Sequence, residues 1–303
     1  MNMLLTGSTG FVGSYLASEY CVYKHVVRRG ESHNLRSVYT VESIDSTEGW
    51  DLAFEGVDVV VHLAGLAHST KFSIEDYQEI NTNGTLRLAR KASEAGVKRL
   101  VFVSSIGVNG TATSSKPFEY VDEPCPHNSY SQSKFDAEVG LKKIAAETGL
   151  EVVIVRPALV YGPGAPGNFG ALTRLVSKLP VLPFGLADNR RDFIALQNLA
   201  DLLVTCASHP NASGHTFLAS DLETVSIKEF TSAIGEGLGV KIVQLPIPVS
   251  LMRFVGKVTG KSAMIEQLYG DLQVDSSNIK EVLGWTPPLT MKQAMASLRN
   301  SSK

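Results

Sequence analysis

The sequence predicts an α/β fold, a doubly wound parallel sheet with a smaller C-terminal α/β domain. Three observations predict it. Short apolar runs alternate with amphipathic stretches through the first half of the chain. A glycine-spaced turn, Gly7-x-x-Gly10-x-x-Gly13, directly follows the first apolar run. After Arg156-Pro157 the texture changes to glycine- and proline-rich loops between shorter elements. Apolar strands separated by helices imply a sheet covered on both faces. Ligands on such sheets sit at the carboxyl ends of the strands, near the point where strand order reverses.

Met3–Leu5 reads as a buried strand and Phe11–Tyr20 as the helix after the glycine turn. Tyr23–Val27 is a second strand. Val57–Leu63, bounded by Gly56 and Gly65, is another. Tyr77–Ala95 reads as one helix, with Leu86, Leu88, Ala89 and Ala92 apolar and Gly96 ending it. Leu100–Val103 is a strand, Lys134–Thr148 a helix and Val152–Val155 a strand. The run Tyr161-Gly162-Pro163-Gly164-Ala165-Pro166-Gly167 cannot be regular structure, and Leu179–Asn189 is similarly rich in breakers. Arg191–Ile194 and Gly214–Leu218 read as short strands returning to the main sheet. Residues 1–162 with 191–219 are therefore expected to form one domain, and 163–190 with 220–303 a smaller one.

Composition bounds the function. At 303 residues and 44% hydrophobic, the chain can bury a sizeable core. A formal net charge of −2 argues against nucleic acid, which wants a basic face. The three scattered cysteines form no Cys-x-x-Cys or Cys/His cluster, so no metal site is expected and a reducing cytoplasm fits. No run has the roughly 18 apolar residues of a membrane helix, no signal peptide precedes the first strand, and no membrane partner is expected.

The glycine spacing has a physical job. Gly7 permits the tight turn, Gly10 lets a pyrophosphate approach the backbone, and Gly13 lets the helix pack against the sheet. The helix N-terminus then offers amides and a positive dipole end to phosphates. An acid ending the second strand would grip the ribose 2′-hydroxyl of NAD; here that strand ends in Arg28-Arg29, with no acid until Glu31. Two guanidinium groups suit the 2′-phosphate of NADP instead. NADP is therefore the expected cofactor and NAD the alternative.

Tyr130 and Lys134, four apart, share one face of a helix. A nearby ammonium is expected to pull the tyrosine pKa down toward working pH, making Tyr130 a general acid or base. Ser105, at the end of the Leu100–Val103 strand, can hydrogen-bond the reacting oxygen. Tyr20 and Lys24 have the same spacing but run from a helix into a strand. His62 and His68 follow the Val57–Val61 run and read as structural. Asn81 can bond backbone groups near the site.

Together these segments resemble the extended short-chain dehydrogenase/reductase family of nucleotide-sugar epimerases, dehydratases and reductases. The resemblance rests on the glycine turn, His62-Leu63-Ala64-Gly65, Asn81-x-x-Gly84-Thr85, Val103-Ser104-Ser105, Tyr130-x-x-x-Lys134, Arg156-Pro157, Arg191-Asp192-Phe193-Ile194 and Leu283-Gly284-Trp285-x-Pro287. It implies a Rossmann-type dinucleotide fold and a catalytic group of Ser105, Tyr130 and Lys134, with Lys134 also holding the nicotinamide ribose. It implies cofactor contacts from Gly7, Thr9, Gly10, Phe11, Val12, Arg28, Arg29, Ser43, Ile44, Leu63, Ala64, Gly65, Asn81, Tyr130, Lys134 and Pro157. On the substrate side it implies Ser105, Asn168 in the substrate loop, Phe184 near the nucleotide base and Arg191 on the diphosphate of a UDP-sugar. A homodimer is a further possibility.

The chain departs from the family pattern in places. The acid that usually ends the third strand aligns nearest Ser43, with Asp45 two residues on. The second diphosphate-binding arginine of many 4-epimerases has no counterpart around Leu268–Asp271. The reaction favoured by Arg28-Arg29 and by that missing arginine is NADPH-dependent reduction of a UDP-4-keto-6-deoxy-N-acetylhexosamine in surface-polysaccharide synthesis. The alternative is a UDP-glucose or UDP-N-acetylglucosamine 4-epimerase with tightly bound NAD. A non-catalytic NADP sensor is more distant, since such proteins usually lose the Tyr or Lys that this chain keeps.

Overall fold

The computed structural model describes residues 1–44, 50–67, 69 and 71–302. His68 and Asp45 lie outside the described residues. The glycine turn joins β1 (Met3–Thr6) to α1 (Phe11–Glu19), and β2 (Lys24–Arg28) and β3 (Val38–Val41) follow. The chain then crosses to β4 (Val59–His62) on the other side of β1. Next come α2 (Ile74–Tyr77), α3 (Thr85–Glu94), β5 (Arg99–Val103), α4 (Ser129–Thr148) and β6 (Glu151–Pro157). With a later strand these form a seven-stranded parallel sheet whose order reverses at β1/β4. The carboxyl ends of β1, β4 and β5 therefore meet at the switch point.

Period-two alternation builds both covered faces. Leu5, Val61, Val101 and Val153 point to one apolar layer, which contains Leu16, Leu199 and Leu203. Leu4, Val60, Leu100 and Ile154 point to the other, which contains Trp50, Leu88 and Leu141. All these strand residues are at most 1% exposed, so the runs read as continuously apolar rather than alternating.

The predicted single helix over Tyr77–Ala95 is interrupted. Residues 78–84 are π-helical between α2 and α3, and the widened turn contains buried Asn81. Such bulges occur frequently at functional sites.

Beyond β6 come β7 (Leu159–Tyr161), α5 (Gly167–Lys178), β8 (Val181–Leu182), β9 (Phe193–Ala195), α6 (Leu196–Ser208) and β10 (Thr216–Ala219). The Gly214–Leu218 expectation holds: β10 pairs with β6 at the edge of the main sheet. The Arg191–Ile194 expectation does not. β9 pairs with β7 in a separate two-stranded sheet, because β10 already fills the free edge of β6 over Ile154–Pro157. The chain closes with α7 (Ile227–Leu238), β11 (Val243–Gln244), α8 (Val249–Val258), α9 (Ser262–Tyr269), α10 (Ser277–Leu283) and α11 (Met291–Ala296). A third apolar cluster, including Tyr161, Phe169, Phe184, Phe193 and Phe230, lies among these elements.

Candidate active site

The glycine turn is built as its spacing implies. Gly7 has φ +72°, and a Cβ there would sit 2.7 Å from the Ala64 amide nitrogen. A Cβ on Gly13 would collide with the Gly7 carbonyl oxygen. Gly10 differs: its Cβ would meet only that carbonyl, at 3.2 Å, with open space beyond. Gly10 is also the N-cap of α1, no side chain caps the helix, and its first turn carries no acid. An exposed helix start with no capping side chain and no acid in its own first turn fits a dinucleotide pyrophosphate. Thr9 and Gly10 are exposed, while Phe11 and Val12 turn partly into the cores behind them. Leu63 and Ala64 are half-buried and Gly65 exposed at the end of β4, beside this turn. Ser43 and Ile44 follow β3, with Ile44 packed on the second layer, and Pro157 is buried at the end of β6.

Helix α4 begins with a capping box in which Asn128 accepts from the Ser131 amide at 2.8 Å. That fixes Tyr130 in the first turn and Lys134 one turn on. The structure brings Ser105, Tyr130 and Lys134 together. Ser105 and Tyr130 share a hydrogen bond, and the Tyr130 ring meets Tyr77 edge-on at 6.1 Å. The Lys134 ammonium donates to the Val103 carbonyl at 3.0 Å and lies 4.7 Å from the centre of the Phe102 ring.

One expectation about this group is corrected. The Tyr130 pKa is not pulled down; it is pushed up to about 12, because burial outweighs the Ser105 hydrogen bond that acts the other way. The Lys134 ammonium does not offset this, since it is directed at Val103 and Phe102. Lys134 itself is only 5% exposed, and burial lowers its pKa to about 8 against the raising influence of Glu138.

His62 and Asn81 form the frame behind the group. His62 is fully buried, bonded through Nδ1 to Thr6 (2.7 Å) and through Nε2 to Thr85 (2.9 Å). Burial and the Lys134 charge lower its pKa to about 3, so it is a neutral strut tying β1 to β4 and α3. Asn81 bonds backbone groups near the site, as expected: its Oδ1 accepts from the Leu66 amide (2.7 Å), and its Nδ2 donates to the Leu66 carbonyl and to the Ser133 hydroxyl (each 3.1 Å). Fully buried, it shapes the Gly65-Leu66 bend. A Cβ on Gly65 would lie 2.8 Å from the Asn81 Oδ1, so glycine is required there.

Arg28 and Arg29 are exposed and already paired, Arg28 with Glu31 at 3.1 Å and Arg29 with Glu42. Glu31 also accepts from the Thr9 hydroxyl at 2.9 Å. A carboxylate thus sits against the glycine turn, where the sequence suggested only guanidinium groups.

The substrate-side residues separate. Arg191 is half-buried beside α9, donating to the Gly270 carbonyl at 2.9 Å. Asn168 is exposed in the first turn of α5. Phe184 is 3% exposed, and its ring packs 5.7 Å from Tyr269. The breaker-rich segment around it folds inward because the Gly185 amide bonds the Leu245 carbonyl.

Sequence reasoning missed a buried polar network beneath the site. The Glu138 carboxylate receives Arg156 at both oxygens and also the Ser104 hydroxyl, while Arg156 donates to Asn109 Oδ1 at 2.8 Å. Glu138 and Arg156 are 1% and 3% exposed. The Lys134/Glu138 spacing of four and the ionic Arg156 in an apolar strand were the available signals.

Residues 3–219 match the sequence profile described as the NAD dependent epimerase/dehydratase family. The chain is 41% identical over 304 residues to a UDP-glucose 4-epimerase of Vibrio cholerae, covering 96% of this chain and 92% of that protein. It is 23% identical to the N-acetyl-alpha-D-glucosaminyl-diphospho-ditrans,octacis-undecaprenol 4-epimerase of Escherichia coli O157:H7, covering 97% and 93%. Among solved structures, the fold matches a Thermotoga maritima UDP-glucose 4-epimerase with UDP-glucose, at TM-score 0.77 and 23% identity over the whole of both chains. It also matches the Bordetella bronchiseptica enzyme WbmG in complex with NAD and UDP, at TM-score 0.76 and 20% identity, covering 98% and 93%. The profile match, the Vibrio relative and the switch-point site agree, and the chain belongs to the NAD-dependent epimerase/dehydratase family of extended short-chain dehydrogenases/reductases.

Proposed function

We propose that the protein is a UDP-sugar 4-epimerase that works with retained NAD. The observation carrying this reading is the Ser105–Tyr130–Lys134 group at the end of β5, beside a glycine turn whose Thr9 hydroxyl donates to the Glu31 carboxylate. A carboxylate there suits a ribose 2′-hydroxyl and opposes a 2′-phosphate. Arg28 and Arg29 each face a carboxylate, Glu31 and Glu42, rather than standing as two unopposed guanidinium groups, which weakens the NADP expectation and the reductase reading built on it. The 41% identity to a protein described as a UDP-glucose 4-epimerase supports the same reading.

The glycine turn and the start of α1 would hold the pyrophosphate, and Lys134 would hold the nicotinamide ribose. When bound, the nicotinamide supplies the acceptor and donor for the hydride of sugar carbon 4. The chain's residues handle the proton. Ser105 orients the oxygen on carbon 4, and Tyr130 Oη holds the proton that this oxygen loses on oxidation and regains on reduction. Burial keeps Tyr130 protonated in the free protein, the form that donates to a 4-keto oxygen. The reverse step needs the tyrosinate, which Lys134, one turn away, would stabilise once its ammonium turns from the Val103 carbonyl. Arg191 would grip the diphosphate with a planar guanidinium, and Asn168 would line the substrate loop.

On this reading residues 1–162 with 191–219 bind the dinucleotide and 163–190 with 220–303 bind the nucleotide-sugar. The third apolar cluster joins the two sets, since Phe169, Phe184 and Phe230 pack with Tyr161 and Phe193. One observation favours the second reading, NADPH-dependent reduction of a UDP-4-keto-6-deoxy-N-acetylhexosamine: residues 268–271, Leu-Tyr-Gly-Asp, offer no second arginine. The test is to incubate the purified protein with UDP-glucose and no added nicotinamide. Appearance of UDP-galactose supports epimerisation. Activity only with a keto-sugar and stoichiometric NADPH replaces it with the reductase.

A further inference from the structure

Helices α8 and α9 form a hairpin with more apolar surface than its own packing uses. The inward side is accounted for. Val249 and Met252 pack on the third cluster, and buried Gly256 lets α9 approach so closely that a Cβ there would lie 2.7 Å from Ile265. The outward side carries Leu251, Phe254, Val255 and Val258, which are 49%, 63%, 44% and 70% exposed. Their spacing of three, one and three places them on one face of α8. Met264 on α9, 49% exposed, adds to the same hairpin.

The charge around this stripe opposes that of the whole chain. Residues 241–270 contain Lys241, Arg253, Lys257 and Lys261 against the single acid Glu266, a net of +3 in a protein of net −2. Arg253 is paired with Glu266 at 2.9 Å. Lys241, Lys257 and Lys261 are exposed and make no ion pair among the described residues. An outward apolar face flanked by uncompensated lysines is the composition of a helix that lies in a lipid–water interface, with the stripe among acyl chains and the lysines at anionic headgroups.

We propose that the α8–α9 hairpin docks the protein onto an anionic lipid surface. A second copy of the chain is the less favoured occupant, since pairing two such faces would bring the uncompensated lysines of both copies together. The expectation of no membrane partner rested on the lack of a spanning segment, and a surface-lying helix needs none. The docked face adjoins the substrate side: α9 ends at Gly270, whose carbonyl receives Arg191.

The test is co-sedimentation of the full chain with sucrose-loaded vesicles. Vesicles of phosphatidylethanolamine with phosphatidylglycerol should carry the protein down, vesicles of phosphatidylcholine alone much less, and high salt should release it. The double change Phe254→Ser with Val258→Ser should cut the bound fraction about tenfold by removing buried apolar area. Lys257→Gln with Lys261→Gln should abolish the preference for anionic lipid. Neither pair should alter the melting temperature or dinucleotide affinity. Absence of wild-type binding to the anionic vesicles would overturn the proposal. So would a wild-type dimer in sedimentation equilibrium that the Phe254/Val258 change dissociates, since the stripe would then be a self-association face.

Discussion

Replacing Glu138 by Gln should damage stability and, separately, change how the active-site lysine titrates. The Glu138 carboxylate is 1% exposed and takes both Arg156 donors and the Ser104 hydroxyl. The amide keeps the shape and one acceptor oxygen but removes the charge, leaving the guanidinium of Arg156, 3% exposed, with neutral acceptors only. Stranding a buried guanidinium in this way costs about 3–5 kcal/mol. Replacing both partners, Glu138→Leu with Arg156→Met, removes the uncompensated charge, so the double variant should lose much less than the sum of the single losses. The second effect falls on Lys134, one helical turn away, whose pKa of about 8 is held up by Glu138 against burial. If Lys134 holds the nicotinamide ribose, dinucleotide affinity should titrate with it, and without that carboxylate the inflection should lie at lower pH. Urea denaturation of the single and double variants reads the first effect, and a pH series of dinucleotide titrations reads the second. A loss under about 1 kcal/mol in Glu138→Gln would refute the claim that this pair is a desolvated charge network. An unmoved inflection would refute its link to Lys134.

Other consequences follow from the same geometry. Gly10→Ala should fold normally yet bind dinucleotide weakly, because its Cβ enters the space above the helix start, whereas Gly13→Ala should be destabilised by collision with the Gly7 carbonyl; melting temperature and calorimetric titration separate the two. Tyr130→Phe should lower turnover by roughly 10²–10⁴-fold with cofactor affinity nearly unchanged, which parallel kinetics and titration check. Arg191→Ala should weaken UDP binding by about 2–4 kcal/mol while sparing the dinucleotide, as competitive titration with UDP would read. His62, with a folded pKa of about 3 below its ordinary 6.5, stabilises the fold fully above pH 6.5. As the pH falls from there toward 3 the unfolded chain takes up a proton that buried His62 refuses, so stability should fall by up to a few kcal/mol, read by denaturation at stepped pH.

The sequence made the dinucleotide half legible because its signals are local. Gly7, Gly10 and Gly13 follow a strand and open a helix, and Tyr130 and Lys134 open the helix after Ser105. What escaped it was set by distant neighbours. Arg191–Ile194 has strand character, but the edge of β6 it would have joined is occupied by β10, a pairing no local pattern encodes. Arg29 looks unopposed until the pairing of β2 with β3 brings Glu42 against it. Phe184 sits in a run of breakers that reads as an open loop, yet the Gly185–Leu245 hydrogen bond folds it into the core. The direction of the Tyr130 shift could not be read from spacing either, since it depends on burial and on where the Lys134 ammonium points. Asn81 shows the same limit: its place in the motif was visible, but the π-helical turn that buries it was not.

The most direct measurement follows the hydrogen on carbon 4. Protein purified without added nicotinamide would be incubated with UDP-glucose deuterated at carbon 4, and the product examined by NMR and mass spectrometry. Tyr130 exchanges its proton through an oxygen, whereas the carbon-bound hydrogen leaves and returns as hydride inside one closed site. The expected result is UDP-galactose that keeps the deuterium at carbon 4, with no net cofactor consumed. Loss of the label to solvent, or no conversion unless NADPH and a keto-sugar are supplied, would contradict it.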